Sequence, residues 1–167
     1  YAKMNGGGEK AIDSGFKVMK EAVNPNVLAY EPSPGKMTEL FQSEQAVIGV
    51  WGTGRVQSFA NTGFPVDFVY PKEGAVGILP AVVLPKGSTK TELAYKFLDQ
   101  VLSAEGQGCF SERAYIGAVN TKVKLSDKLK GIVPNGESLE KAWFIDPELI
   151  AKNSANWTRR WQREVAR

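Results

Sequence analysis

The sequence predicts an α/β fold, and three features carry that prediction. The run Ala46-Val47-Ile48-Gly49-Val50-Trp51 is continuously apolar and bounded by turn residues, the pattern of a strand buried on both faces as in a parallel sheet. Gly52-Thr53-Gly54 then turns the chain into a short helix over residues 55–61, which ends at Gly63. A second extended run follows at 66–70. Strand, helix and strand at this spacing form a βαβ unit with a right-handed crossover.

The flanking elements follow in order. Over 9–23, Ile12, Phe16, Met19 and Val23 fall at i, i+4, i+7 and i+11, one apolar helical stripe. Asn24-Pro25-Asn26 ends it, because proline cannot continue the hydrogen-bond ladder. Residues 27–30 are a short strand candidate. A second helix starts after Pro32, with Ser33 as cap and Pro34 at its first position, and runs to about Ser43. The apolar run 76–84 is interrupted by Pro80, which argues for an edge strand or a crossover between lobes and against a central strand. Thr89-Lys90-Thr91-Glu92 fits a capping box ahead of Leu93, Phe97, Leu98, Val101 and Leu102. A further helix covers 105–113, the stretch 123–137 is loop-rich, and a last helix covers 153–166 with Trp157, Trp161 and Val165 facing inward.

Composition excludes several chemistries. A chain of 167 residues, 43% hydrophobic and 23% charged, suffices for one ordinary domain. Its 21 basic and 18 acidic residues give a net charge of +3, too small to draw a nucleic acid. The single cysteine, Cys109, allows no internal disulfide. The absence of histidine removes Ser-His and Cys-His pairs, His-ligated zinc and an imidazole base. No apolar run approaches the roughly 20 residues needed to span a bilayer. The chain opens on Tyr1-Ala2-Lys3-Met4 without a leader-like pattern, and it reads as a C-terminal fragment.

Most candidate motifs fail on their own chemistry. Gly6-Gly7-Gly8, Lys86-Gly87-Ser88-Thr89 and Gly52-Thr53-Gly54 lack the spacing of a nucleotide loop. Asp67, Glu73, Glu92 and Asp99 form no sequence-evident acid–base pair and read as surface charge. Arg159, Arg160, Arg163 and Arg167 fall mostly on the water-facing side of the last helix. Val50-Trp51-Gly52-Thr53-Gly54-Arg55 is different, because it brings three recognition tools together at a strand's carboxyl end. Trp51 offers a stacking face, the helix N-terminus offers free N–H groups, and Arg55 offers a fork for carboxylate or phosphate. The competing reading makes Trp51 core and pairs Arg55 with a surface acid.

The stretch from Leu40 through Arg55 resembles the extracellular solute-binding proteins of ABC transporters, and most closely their spermidine/putrescine-type group. Pro65-Val66-Asp67-Phe68-Val69-Tyr70-Pro71-Lys72-Glu73-Gly74, Leu84-Pro85-Lys86-Gly87-Ser88, Leu102-Ser103-Ala104-Glu105-Gly106-Gln107 and Tyr115-Ile116-Gly117-Ala118-Val119-Asn120 agree in order. The resemblance implies a type II periplasmic-binding-protein-like fold, two lobes closing on a ligand, in a periplasmic or extracellular setting. Residues 1–74 and 121–167 would belong mainly to the second lobe, and 75–120 would cross to the first and return. It further implies a non-enzymatic importer component with no cofactor, no metal and no nucleic acid. Its partners would be a small solute and an inner-membrane permease. The resemblance implies that Trp51 faces the ligand, and together with the local chemistry of the turn the expected ligand-binding set is Trp51, Gly52, Thr53, Gly54, Arg55 and Glu73. Polyamine binders of the group carry an aromatic and an aspartate just after the Glu-Gly turn, where this chain has Gly77-Ile78-Leu79-Pro80. That departure, with Arg55, favours an anionic or zwitterionic solute. Two alternatives are a ligand-sensing domain of a regulatory protein and an enzyme on an α/β scaffold.

Overall fold

The computed structural model describes residues 1–166, the side chain of Glu137 excepted. Its α-helices are α1 (Asp13–Val18), α2 (Pro34–Gln42), α3 (Thr53–Ala60), α4 (Thr91–Leu102), α5 (Ala104–Ala114), α6 (Asp127–Lys130), α7 (Gly136–Glu140) and α8 (Pro147–Glu164). The chain divides into two compact units, Tyr1–Gly49 with Trp143–Arg167, and Val50–Ala142.

In the first unit, the stripe Ile12, Phe16, Met19 and Val23 is half-buried as its spacing predicts. The helix carrying it is less regular than expected. After α1 the chain passes through a π turn, Met19–Val23, and a 3-10 turn, Asn24–Asn26, so that Pro25 sits where the ladder has already changed. Gly15 is buried, and a Cβ there would lie 2.8 Å from the Ala2 nitrogen, so this approach requires glycine. Ser33 caps α2 by accepting from the Lys36 N–H, with Pro34 at the first position, as expected. Helix α8 begins six residues before its expected start at Asn153, because Asp146 accepts from the N–H groups of Glu148 and Leu149 at 2.9 and 3.3 Å and Pro147 opens the first turn. Trp161 meets the ring of Tyr30 edge-on at 4.8 Å, and Val165 is wholly buried.

Arg160 corrects the expected solvated face of α8. Its guanidinium lies 4.2 Å from the centroid of the Phe16 ring, 2.7 Å from Asp13 and 3.2 Å from Glu164. The neighbouring stripe carries its stem inward and Asp13 supplies the counter-charge, so the residue ties α8 to α1. Arg163 remains exposed at 2.6 Å from Glu164, and Arg167 lies outside the described residues.

In the second unit, Val56, Phe59, Leu129 and Val133 are buried, and Phe59 stacks on Phe64 at 4.4 Å. Helix α4 lacks the expected capping box. Ser88 instead braces the turn ahead of the helix, its Oγ accepting from the Lys90 N–H and its carbonyl accepting from the Thr91 hydroxyl. The stripe on α4 is also displaced: Leu93 and Phe97 are exposed, while Ala94, Leu98 and Val101 are half-buried. Ser103 caps α5 by accepting from the Gly106 N–H at 2.9 Å. Asn120 donates to the Leu102 carbonyl, and the Val119 N–H donates to Gln107, so the segment after α5 is held against both helices. The loop-rich stretch 123–137 contains α6 and the start of α7.

The expected strands do not form a ladder among the described residues. Residues 66–70 come nearest, with Val66, Phe68 and Tyr70 half-buried and Asp67 and Val69 exposed, the period-two packing of a strand with one covered face. The run 46–51 is not buried on both faces. Val47 and Ile48, adjacent and therefore on opposite faces, are 83% and 88% exposed. A doubly buried strand needs neighbours at its edges and layers on both faces, whereas here Phe41 and Met37 of α2 reach Gly49 and leave Val47 and Ile48 uncovered. The run 76–84 is likewise extended and largely exposed. The βαβ reading is therefore met at its helix and not at its strands.

Candidate functional site

The site is built around the start of α3. Gly52 has extended backbone, and the N–H groups of Arg55 and Val56 donate to its carbonyl at 2.9 and 3.1 Å to open the helix. The helix thus begins at Thr53, two residues before the expected start. Gly52 has no side chain with which to cap it, which leaves the first-turn donors without a side-chain acceptor.

Trp51 is half-buried and meets Phe59 edge-on at 6.2 Å between ring centroids. The Tyr70 hydroxyl donates to the Ile132 carbonyl at 3.5 Å, with Thr53 and Ser138 nearby. Burial raises the Tyr70 pKa above its usual value, and the nearby Ser138 and Thr53 hydroxyls pull it partly back. A side chain at Gly54 would collide with the Ala114 carbonyl oxygen, so the first turn of α3 lies directly against the end of α5. At the other end of α3, the Asn61 amide donates to the Tyr115 hydroxyl at 2.6 Å. Tyr115 itself sits in the left-handed region at φ 55, ending α5 where glycine is usual.

Arg55 is exposed, and its guanidinium makes no hydrogen bond or ion pair with another described residue. Glu73 is exposed and lies 3.8 Å from the Lys72 ammonium. Trp51, Gly52, Thr53, Gly54 and Arg55 are thus placed together by one turn and one helix end. Sequence reasoning missed Ala114 and Tyr115 as supports of this turn. The paired glycines flanking Thr53 were the available signal, because a glycine inside a helix's first turn marks a close backbone approach. Two hollows open in the first unit. One of about 210 Å³ is lined by Glu9, Ile12, Leu149 and Trp157, and another of about 520 Å³ by Lys3, Gly7 and Trp143. Neither includes a residue of the expected set.

Comparison with known proteins adds the following. Residues 1–135 match the family described as bacterial extracellular solute-binding protein. A putrescine/cadaverine-binding protein of Pseudomonas aeruginosa is 34% identical over 61 residues, which are 36% of this chain and 17% of that protein. A crystal structure described as an extracellular solute-binding protein from Bordetella parapertussis is 31% identical, with a TM-score of 0.80 over 99% of this chain and 50% of that one. An ABC transporter structure from Clostridium perfringens has the same fold, with 22% identity and a TM-score of 0.74 over 98% of this chain and 52% of that one. The chain therefore spans about half the length of these structures and a smaller part of the curated relative. These descriptions name binding and transport proteins, not enzymes.

Proposed function

We propose, from the premise that this chain belongs to the bacterial extracellular solute-binding protein family, that it forms part of the capture component of an ABC importer. The family works outside the cytoplasmic membrane, in the periplasmic or extracellular space, and no helix among the described residues is long and apolar enough to cross a bilayer. The component takes a small solute between two lobes and delivers it to an inner-membrane permease. Residues 1–74 and 121–167 contribute mainly to one lobe, and 75–120 cross to the other and return. Closure follows when a solute binds both lobes better closed than open.

The observation that carries this reading is the family match over residues 1–135, which includes the whole turn from Trp51 to Arg55 as well as Glu73. In that turn Trp51 supplies an aromatic wall, Gly54 lets the Ala114 backbone approach closely, and Arg55 offers an unengaged guanidinium. Arg55, exposed at the start of α3, is the charged group of this turn. The solute accordingly carries a carboxylate or phosphate, and Glu73 can meet an ammonium if it is zwitterionic.

Calorimetry on the polypeptide as its gene encodes it tests this, with acidic amino acids, phosphate esters, putrescine and cadaverine as solutes. An acidic solute should bind, and Arg55→Ala should weaken it by about 1.5–3 kcal/mol, the range of a charge-assisted hydrogen bond. Tight putrescine binding that survives Arg55→Ala unchanged overturns the assignment of solute charge. Failure of every small solute to bind overturns the capture reading itself.

A further inference from the structure

Two Asn-Gly pairs occur in the sequence, Asn5-Gly6 and Asn135-Gly136. Such a pair carries an internal reaction, because glycine has no side chain to keep its backbone nitrogen away from the side-chain amide before it. Both glycines leave that approach open. Each has positive φ, 74° at Gly6 and 48° at Gly136, and apart from chain neighbours neither has an atom within 4 Å of where a Cβ would stand. The asparagines differ. Asn5 is exposed, and its side chain makes one hydrogen bond among the described residues, from Nδ2 to the Tyr1 carbonyl at 2.8 Å. Asn135 is half-buried, and its Nδ2 donates to two carbonyls, Lys130 at 2.8 Å and Val133 at 2.7 Å. Its backbone N–H donates to the Ser138 Oγ at 3.1 Å, and the Ser138 hydroxyl donates to its carbonyl at 2.8 Å. Turning the Asn135 amide over the Gly136 nitrogen therefore breaks a half-buried network, whereas Asn5 gives up one bond in contact with water.

We propose that Asn5 is a site of spontaneous deamidation, and that the hydrogen bonds around Asn135 hold the second pair unreacted. The Gly6 nitrogen attacks the Asn5 Cγ, and a bond forms between them as the Cγ–Nδ2 bond breaks. Nδ2 leaves as ammonia, carrying the proton that the Gly6 nitrogen gives up. Water then opens the cyclic imide at either carbonyl, giving aspartate or isoaspartate, and neither oxidant nor cofactor takes part. The product changes the charge of the first unit. A group that donated to the Tyr1 carbonyl becomes a negatively charged acceptor, and Gly6 beside it lines the hollow that also holds Lys3 and Trp143. The Lys3 ammonium lies 5.2 Å from the Trp143 ring centroid, so the new carboxylate competes with the indole for it. The isoaspartate form also lengthens the backbone inside the turn that the Gly7 N–H closes on the Ala2 carbonyl at 2.8 Å. The inference rests on local geometry and not on solute capture.

Incubation of the polypeptide as its gene encodes it, at neutral to mildly alkaline pH, followed by peptide mapping with mass spectrometry, reads both pairs in one sample. The peptide carrying Asn5 should convert to acid at least about tenfold faster than the peptide carrying Asn135, because more hydrogen bonds must open at the second pair before it reacts. In urea strong enough to unfold the chain, the two rates should converge. Equal rates in the folded polypeptide, or faster conversion at Asn135, overturn the proposal. An Asn5 that keeps its amide while folded and loses it in urea also overturns it, by showing that the folded turn shields the residue. A gap that persists unchanged in urea overturns the assignment of protection to the contacts of Asn135.

Discussion

Arg160 and Glu164 set the charge balance of the first unit. The Arg160 and Arg163 guanidinium groups hydrogen-bond the Glu164 carboxylate and hold its pKa below the ordinary value. Hydrogen bonds from Arg160 to Glu164 and Asp13 raise the arginine's pKa in turn. A carboxyl depressed on folding contributes stability above its unfolded pKa, about 4.3, and loses that contribution as pH falls through the lower folded value. Urea unfolding between neutral and acid pH should therefore show a shallower acid loss in Glu164→Gln than in the parent, and an unchanged slope refutes the coupling. Gly54 makes a steric prediction. A methyl there meets the Ala114 carbonyl, so Gly54→Ala should destabilise by about 1–3 kcal/mol despite alanine's better helix propensity. A thermal midpoint equal to or above the parent's would show that α3 is free to shift.

Among the elements, α8 is the longest, and its start depends on one side chain. Asp146→Ala removes the acceptor for two first-turn N–H groups and should cost about 1 kcal/mol in denaturant unfolding. The start signal Asp146-Pro147-Glu148 is legible in the sequence, but the stripe Trp157, Trp161 and Val165 by itself places the start at Asn153. Other elements were read better. Ser33 and Pro34 mark α2 correctly because a cap is a local contact among neighbours in sequence. The inward side of α4 follows the expected stripe at Leu98 and Val101 but not at Leu93, Phe97 and Leu102, for the opposite reason. Leu93 and Phe97 have helical spacing, but which stripe is covered depends on what packs against the helix.

At the scale of the whole molecule, the exposed apolar residues Val47, Ile48, Val50, Ile78 and Val83 should make the 167-residue chain bind a hydrophobic dye such as ANS strongly. Weak dye binding by that chain would show that these residues are covered in solution. By itself the sequence determined the exclusion of histidine and disulfide chemistry, the family resemblance, the helical regions and the turn that gathers Trp51 to Arg55. These depend on composition, on local capping and on residues a few positions apart. Only the tertiary structure decided that Arg160 turns inward to Asp13 and Phe16, and that Gly54 rests on Ala114. It alone showed Tyr115 ending α5 in a left-handed conformation, and 47–50 and 78–83 standing open. Those outcomes join residues tens of positions apart, or turn on whether a partner exists. A side chain's burial is a property of its neighbours in space, which hydrophobic spacing along the chain does not encode.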